Sequence, residues 1–541
     1  MEKKSRNVMN FIYDLLGTLL NYGMTVYMGL LIVVLPFYFE QGYGYIATDK
    51  ASFFCKMSVN MGKVLIPVMI FYAISAIAVN HAKIIPFLKK NFSVTGIKAL
   101  ICKISALDFF VGMYGVSVIL SYLCSDYQET ALWGTAGWYM GFVPQMILVC
   151  AYFLIAKFWE PKKWLFGLIL PVAAVVFVLG YLNRFGYYPF EMEYANPSFI
   201  STIGNINWYC SYVVPVLFAG IGLFWIKGNL LYGTFIFVGF ATLITQGSAS
   251  GIFALGVMLV VLLCLSVNRE DWTQKFWIIT LLLSLGCVMT MIVRNRFPEA
   301  LTYRDRMLDV FTQGKFPIIM TIMSLLGVIW SFWNCKRKNP NRKIVRKFAI
   351  LCVTLVSCIA VVYVILLTVN TLNPGVLGEL SESDIFTLSD KWGSSRGATW
   401  KVGLHCFMEQ DFLHKLVGVG PDAMWPYIDK GGNGALIRLV QKNFGMKIML
   451  TNAHNEWLTV LVNYGILGLV SFVGIIVSAV WSFFSRKNTD NGHVLVACAF
   501  GILAYTLNNM FSFQQVVNVT MLYLLLGMGR AFLREAKSPA E

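Results

Sequence analysis

Charge is scarce in this chain, with Asp, Glu, Lys and Arg supplying only 13% of its 541 residues. Soluble domains carry about a quarter, so an ordinary soluble fold is excluded. What remains is 57% hydrophobic, with a mean hydropathy of +0.67. Acidic residues are the rarer sign, 27 against 43 basic ones, and the net charge is +16. That excess is not a nucleic-acid footprint, because Lys and Arg lie in short links between apolar runs, as the positive-inside rule expects. CxxC spacing is missing from the twelve cysteines, which are scattered mostly through apolar runs. Buried free thiols act as small hydrophobes, so neither a disulfide framework nor a zinc site is expected. The first apolar run lacks a small-residue cleavage site, since Pro36, Phe37, Tyr38, Phe39 and Glu40 follow it directly, and it reads as a retained span. No internal repeat is visible.

What is present is a succession of apolar runs of about 20 residues, the length that crosses about 30 Å of hydrocarbon. They fall near 13–39, 57–80, 104–124, 137–156, 165–182, 208–226, 229–246, 250–267, 276–293, 316–334, 348–370, 455–484, 494–512 and 516–530. The runs are continuous rather than alternating, so they predict helices and not a membrane barrel. The expected fold is an all-α polytopic transmembrane bundle of about 14 spans, one integral membrane unit over 1–541. With the N-terminus inside, the basic segments at Lys3, Lys4 and Arg6, at 83–103, at 157–163 and at 336–347 all face the cytoplasm.

The opposite links are the informative ones. Residues 125–136, 183–207 and 294–315 mix Trp, Tyr, Arg and acids, and residues 371–453 form an external loop too long for a mere connection. Within it, 434–450 places Leu436, Ile437, Val440 and Phe444 on one helical face, opposite Arg438, Gln441 and Lys442. Two placements fit this periodicity: a helix on the outer membrane surface, or one packed on the bundle.

Where the loop ends, His454 stands in NAHNEWLTVLVNYGILGL, residues 452–469. A helix starting near Asn452 would hold the imidazole in its first turn, where unpaired N–H groups disfavour protonation and attract phosphate. A neutral imidazole there can act as a general base. Gly465 and Gly468 on the same helix suit close packing. Upstream lie SSRGATW, with Arg396 and Trp400, and GVGPD, with Gly418, Gly420, Pro421 and Asp422. Asp422 suits either a turn or an orienting contact to His454. His405 and His414 share the loop, but their spacing from His454 matches no ligand motif, so no metal is expected.

Arg-Gly-x-x-Trp, then Gly-x-Gly, then His-Asn followed by nine residues and Gly-x-x-Gly, resembles the O-antigen ligase and O-antigen polymerase superfamily of membrane glycosyltransferases. The match spans about 390–470, with weaker echoes in GNIN at 204–207 and NNMFSF at 508–513. The resemblance implies transfer of a glycan from a polyprenyl diphosphate carrier to an acceptor hydroxyl on a glycan, lipid or protein, without metal or cofactor. Its site would face the exterior of a bacterial-type cytoplasmic membrane. The family's catalytic histidine falls on His454 and the arginine of its Arg-Gly motif on Arg396. Independently, a planar guanidinium suits the charge left on a diphosphate when the anomeric bond breaks. Asn455, Asp422 and Trp400 are candidate substrate contacts. The family's Ser-Arg-Gly arginine has no counterpart in TQGSASGIF, residues 245–253. Arg304 and Arg306, or Arg294 and Arg296, are the candidates to replace it. Direct displacement would invert the anomeric centre. A transporter or flippase of lipid-linked glycans is the other class, disfavoured because the polar groups cluster at one face and not at the midplane, and because few charges lie within the spans.

Overall fold

The computed structural model describes residues 2–91, 104–337, 341–383, 385–430, 434–445 and 448–536. Parts of the expected basic links 83–103 and 336–347, and residues 446–447 of the expected amphipathic helix, lie outside them. In chain order the long helices are α1 (Glu2–Gly29, continued by a π-helical turn, Leu30–Val34), α2 (Ile46–Asn91), α3 (Ala106–Leu123), α4 (Phe142–Phe158), α5 (Lys163–Arg184), α6 (Ile206–Lys227), α7 (Leu230–Gln246), α8 (Ala249–Ser266), α9 (Glu270–Arg296), α10 (Phe316–Lys336) and α11 (Arg342–Leu372). Shorter helices follow in the long loop: α12 (Trp392–Glu409), α13 (Phe412–Val417), α14 (Met424–Lys430) and α15 (Gly434–Phe444). The chain closes with α16 (Glu456–Ser485), α17 (Gly492–Asn508) and α18 (Val516–Glu535). Eleven of these are long and apolar enough to cross a membrane, and α4, α7 and α17 are shorter apolar helices. Together they occupy the same fourteen places as the apolar runs of the sequence. The protein is an all-α, multi-pass membrane bundle. Its one small sheet among the described residues pairs Phe199–Ile200 with Gly204–Asn205, antiparallel.

Burial separates the centre of the bundle from its rim. α6 and α18 are buried almost throughout, while α11 buries none of its most apolar window. α6 lies against α17 so closely that a Cβ on Gly222 would come 2.5 Å from the Ala497 Cα, the tight backbone approach that small residues permit between membrane helices. Helix ends, whose free carbonyls have no water to turn to, are closed by side chains. Lys50 donates to the carbonyls of Leu35, Pro36 and Tyr38 at 3.1, 3.0 and 2.9 Å, where α1 ends. At the end of α4, Arg534 donates to the carbonyls of Ala156, Lys157 and Trp159.

The links also sort by end. Asn21 and Glu160, Asp108 and Arg530, Lys275 and the Trp225 carbonyl, and Arg342 and Glu270 all pair at one end. This end holds the basic link 157–163 and the described residues of 336–347. The described residues of 125–141, 183–205, 297–305, 371–455 and 509–515 meet at the other, the loop end. There the loop builds a second apolar core from Val402, Cys406, Met424, Ile428, Leu436, Val440 and Ala453. The apolar face of α15 is spent in this core: Leu436 and Val440 are buried, with Ile437 and Phe444 packed beside them. Of the two placements open to this helix, the structure shows the packed one: α12 and α14 cover its apolar face, in a cluster that also takes in Val462 and Leu458 of the spanning helix α16.

Candidate active site

The Arg-Gly motif is built by a forced turn. Gly393, Ser394 and Ser395 take left-handed backbone angles, with φ of 59°, 61° and 68°, so that regular helix begins at Arg396. Two serines in this region store strain that surrounding contacts must hold. Gly397 shows one such contact: a Cβ there would stand 1.9 Å from the Ser389 carbonyl oxygen, and the next N–H, of Ala398, donates to the Asp390 carbonyl at 3.1 Å. Arg396 is thereby buried and aimed inward. Its Nε donates to the Phe511 carbonyl at 3.0 Å and its Nη1 to the Gly393 carbonyl at 2.9 Å. It has no carboxylate partner among the described residues. Burial pulls the guanidinium below its usual range.

The Gly-x-Gly and Gly-x-x-Gly motifs serve each other. α16 breaks at Gly465, where φ is 65° and ψ −166°, and the break strips the carbonyls of Val462 and Asn463 of their helical donors. The N–H groups of Val419 and Gly420 replace them at 3.2 and 3.3 Å. Gln410 also donates to Val462 and Ser121 to Asn463, at 3.2 and 2.5 Å. Gly418 passes so near that a Cβ would lie 2.1 Å from the Asn463 oxygen. Asp422, at φ 54°, closes the same turn. Its carboxylate accepts the N–H groups of Thr135 and Met140 at 2.8 and 3.3 Å, and its carbonyl accepts the Thr135 hydroxyl at 3.0 Å. Burial raises its pKa to about 7. These contacts hold Asp422 in the turn, and among the described residues it makes no hydrogen bond to His454.

His454 does not lie in the first turn of α16. Asn455 is the N-cap, accepting the Leu458 N–H at 3.0 Å, and His454 precedes it at φ 49°. The Asn452 side chain holds that geometry by accepting the His454 N–H at 3.0 Å. Two asparagines in sequence, one closing a turn and one capping, thus place the imidazole outside the helix. Its ring meets Phe513 edge-on at 4.9 Å. Burial, and secondarily the charge of Arg396, lower its pKa to about 4, so the ring is neutral at pH 7.

Arg396 and His454 therefore converge on one short segment: the former holds the carbonyl of Phe511, the latter packs on Phe513. A polar network fixes that segment. Glu456, buried in the first turn of α16, donates its N–H to the Asn509 carbonyl at 2.9 Å and accepts the Asn509 amide on its carboxylate. Tyr505 donates to Glu456 at 3.2 Å, Asn508 donates to Ser211 at 2.8 Å, and Ser211 meets Ser512 at 2.9 Å. A cavity of about 20 Å³, the size of one water, lies between Asp422, Glu456, Asn452, Asn463, Trp138 and Phe513. Trp400 stacks on Phe511 at 5.6 Å and meets Trp392 edge-on at 5.4 Å, while its buried Nε1 has no hydrogen-bond partner among the described residues.

The candidate replacements for the absent arginine differ in state. Arg294 is buried and neutralised by Asp309 at 2.7 Å, with Thr312 beside it at 3.0 Å. Arg296 leans on Phe297. Arg304 and Arg306 are exposed, on either side of Asp305, which packs against Gly247 of the TQGS turn. The sequence reading did not single out Arg184. Its guanidinium is fully buried, donates to Gln246 at 2.8 Å and to the Pro197 carbonyl at 3.1 Å, and lies under Tyr303. It occupies the neighbourhood of the missing side chain from a different helix, which no local motif reveals. Of the other histidines in the loop, His414 is engaged by Asp411 at 3.0 Å and by the Cys124 carbonyl at 3.2 Å.

Residues 310–473 match the family model described as O-Antigen ligase. The match takes in Arg396, Trp400, Asp422, His454 and Asn455, and leaves out the 509–515 segment on which Arg396 and His454 meet. No curated protein matches the chain.

Proposed function

We propose that this chain, which carries the O-antigen ligase superfamily's domain over residues 310–473 and is a membrane glycosyltransferase-like ligase, transfers a glycan from a polyprenyl diphosphate to an acceptor hydroxyl at the exterior membrane face. The observation that carries this reading is the convergence of a neutral imidazole and an uncompensated guanidinium on residues 511–513.

In this reading His454 removes the proton of the acceptor hydroxyl. The acceptor oxygen attacks the anomeric carbon as the bond to the diphosphate oxygen breaks, and Arg396 takes up the charge that appears on the leaving group. Attack opposite the leaving group inverts the anomeric centre. Arg396 spends two of five N–H donors on backbone carbonyls, so the others remain for phosphate oxygens. Trp400 and Asn455 border the site as substrate contacts, and Arg304 and Arg306 supply the second phosphate ligand. No step in this chemistry requires a metal ion. The sites sit at the loop end rather than the midplane, which supports an enzyme over a flippase.

The test is purified protein incubated with a polyprenyl-diphosphate-linked glycan and candidate acceptors, beside His454→Ala that inserts normally. Loss of transfer in the variant is expected. Full retained transfer would remove His454 from the reaction.

A further inference from the structure

The end of the bundle away from the loop ties cations to acids: Arg530 to Asp108, Arg342 to Glu270, and both Arg269 and Lys275 to Asp271. Lys163 and Lys227 have no carboxylate partner among the described residues. They are the first residue of α5 and the last of α6, at the edges of two candidate spans, and both are exposed. Their charges act together on His493, at the start of α17. That residue is only 9% exposed, yet its ring makes no hydrogen bond among the described residues. Buried polar groups ordinarily have a partner. α17 also begins with no side-chain cap, so its free N–H groups add partial positive charge.

Lys163 and His493 both line a groove of about 510 Å³. Along α5 the groove runs from Lys163 to Ala174, about 16 Å of helix, and its facing wall is Leu231, Phe235 and Val238 of α7. The cations thus stand at one end of an apolar channel that follows a candidate span inward. No Asp or Glu lines it among the described residues.

We propose that this groove binds one anionic phospholipid of the leaflet opposite the loop end, its phosphate held by Lys163, Lys227 and the His493 ring and one acyl chain laid between α5 and α7. The inference goes beyond the transferase reading and does not depend on it. Charge selects the headgroup. Two flexible ammonium stems reach a phosphate from either side, and the imidazole offers an N–H in either protonation state. A zwitterionic lipid would bring an ammonium group to a site that has no carboxylate to receive it. The apolar wall selects a lipid over a free phosphate, which would leave the groove's length unused. Basic pockets between membrane helices hold acidic headgroups in this way.

The experiment places the full-length protein in phosphatidylcholine nanodiscs with a trace of phosphatidylglycerol carrying a photoreactive acyl chain, and maps the labelled peptides. α11, which buries none of its most apolar window, reports ordinary lipid contact and correct insertion in every sample. Labelling of the groove walls of α5 and α7 is expected to exceed that of α11. In Lys163→Gln/Lys227→Gln the ratio of groove to α11 labelling should fall roughly 30-fold, the worth of two lysines beside an anionic lipid, while Lys163→Arg/Lys227→Arg should keep it. Excess unlabelled phosphatidylglycerol should abolish the groove signal, and excess inorganic phosphate should leave it unchanged. Labelling spread evenly over the groove and α11, or a ratio unchanged in the double Gln variant, would overturn the proposal. Competition by inorganic phosphate would overturn it too, by showing a free-anion site.

Discussion

Replacing Arg396 by Gln separates charge from packing at the centre of the site. The wild-type guanidinium has two neutral carbonyl partners and, among the described residues, no carboxylate, so its charge is uncommitted until an anion arrives. Removing one preorganised donor to a developing charge costs about 3–4 kcal/mol, which at about 1.4 kcal/mol per factor of ten lowers kcat by roughly 100- to 1,000-fold. A second readout follows from electrostatics. Burial and the charge of Arg396 hold the His454 pKa near 4, so the base is neutral above that pH. The wild-type rate should stay level from neutrality downward and fall only as pH approaches 4. Without the guanidinium, protonation of the ring becomes easier, and the acid limb moves upward toward the ordinary histidine range. Steady-state transfer measured across pH for both proteins reads both effects. A kcat within about threefold of wild type, together with an acid limb that does not move, would refute the reasoning.

Gly397→Ala puts a Cβ against the Ser389 carbonyl and should unseat Arg396, with a loss of transfer comparable to Arg396→Gln in protein that still inserts. Asp422→Asn probes a buried carboxyl whose pKa is raised to about 7. Its folded pKa lies above the unfolded value of about 3.9, so its contribution to stability is complete below that value and is lost as pH rises through about 7. Thermal unfolding across this window should show that decline in the wild type and not in Asp422→Asn; equal slopes would contradict it. Asn509→Ala removes the amide that joins Glu456 to the 508–512 segment. It should lower kcat with little change in protein yield, and an unchanged kcat would show that the segment keeps its place without the network.

The bundle was legible because crossing a bilayer demands long continuous apolar runs, and each of the fourteen expected segments meets a helix within several residues. The motif residues were legible as a set, since Arg396 and His454 fall 58 positions apart in one matched stretch and both touch residues 511–513. Their common support was visible only as the echo NNMFSF at 508–513, with no role attached to it. Residues 509–515 are few and mixed in polarity, and only folding brings them between α12 and α16. The exact station of His454 depended on which asparagine capped the helix, a choice between Asn452 and Asn455 that periodicity cannot make. The face of α15 was readable as apolar, but what would cover it was not, because the loop builds its own core. Arg184 escaped for the same reason: its partner Gln246 is 62 positions away.

The most direct measurement is a cryo-electron microscopy structure of the protein bound to a polyprenyl diphosphate. The account predicts diphosphate density against the Arg396 guanidinium, with the His454 ring facing the same pocket beside Phe513. Diphosphate bound elsewhere, with Arg396 turned away and no space shared between the two side chains, would contradict it.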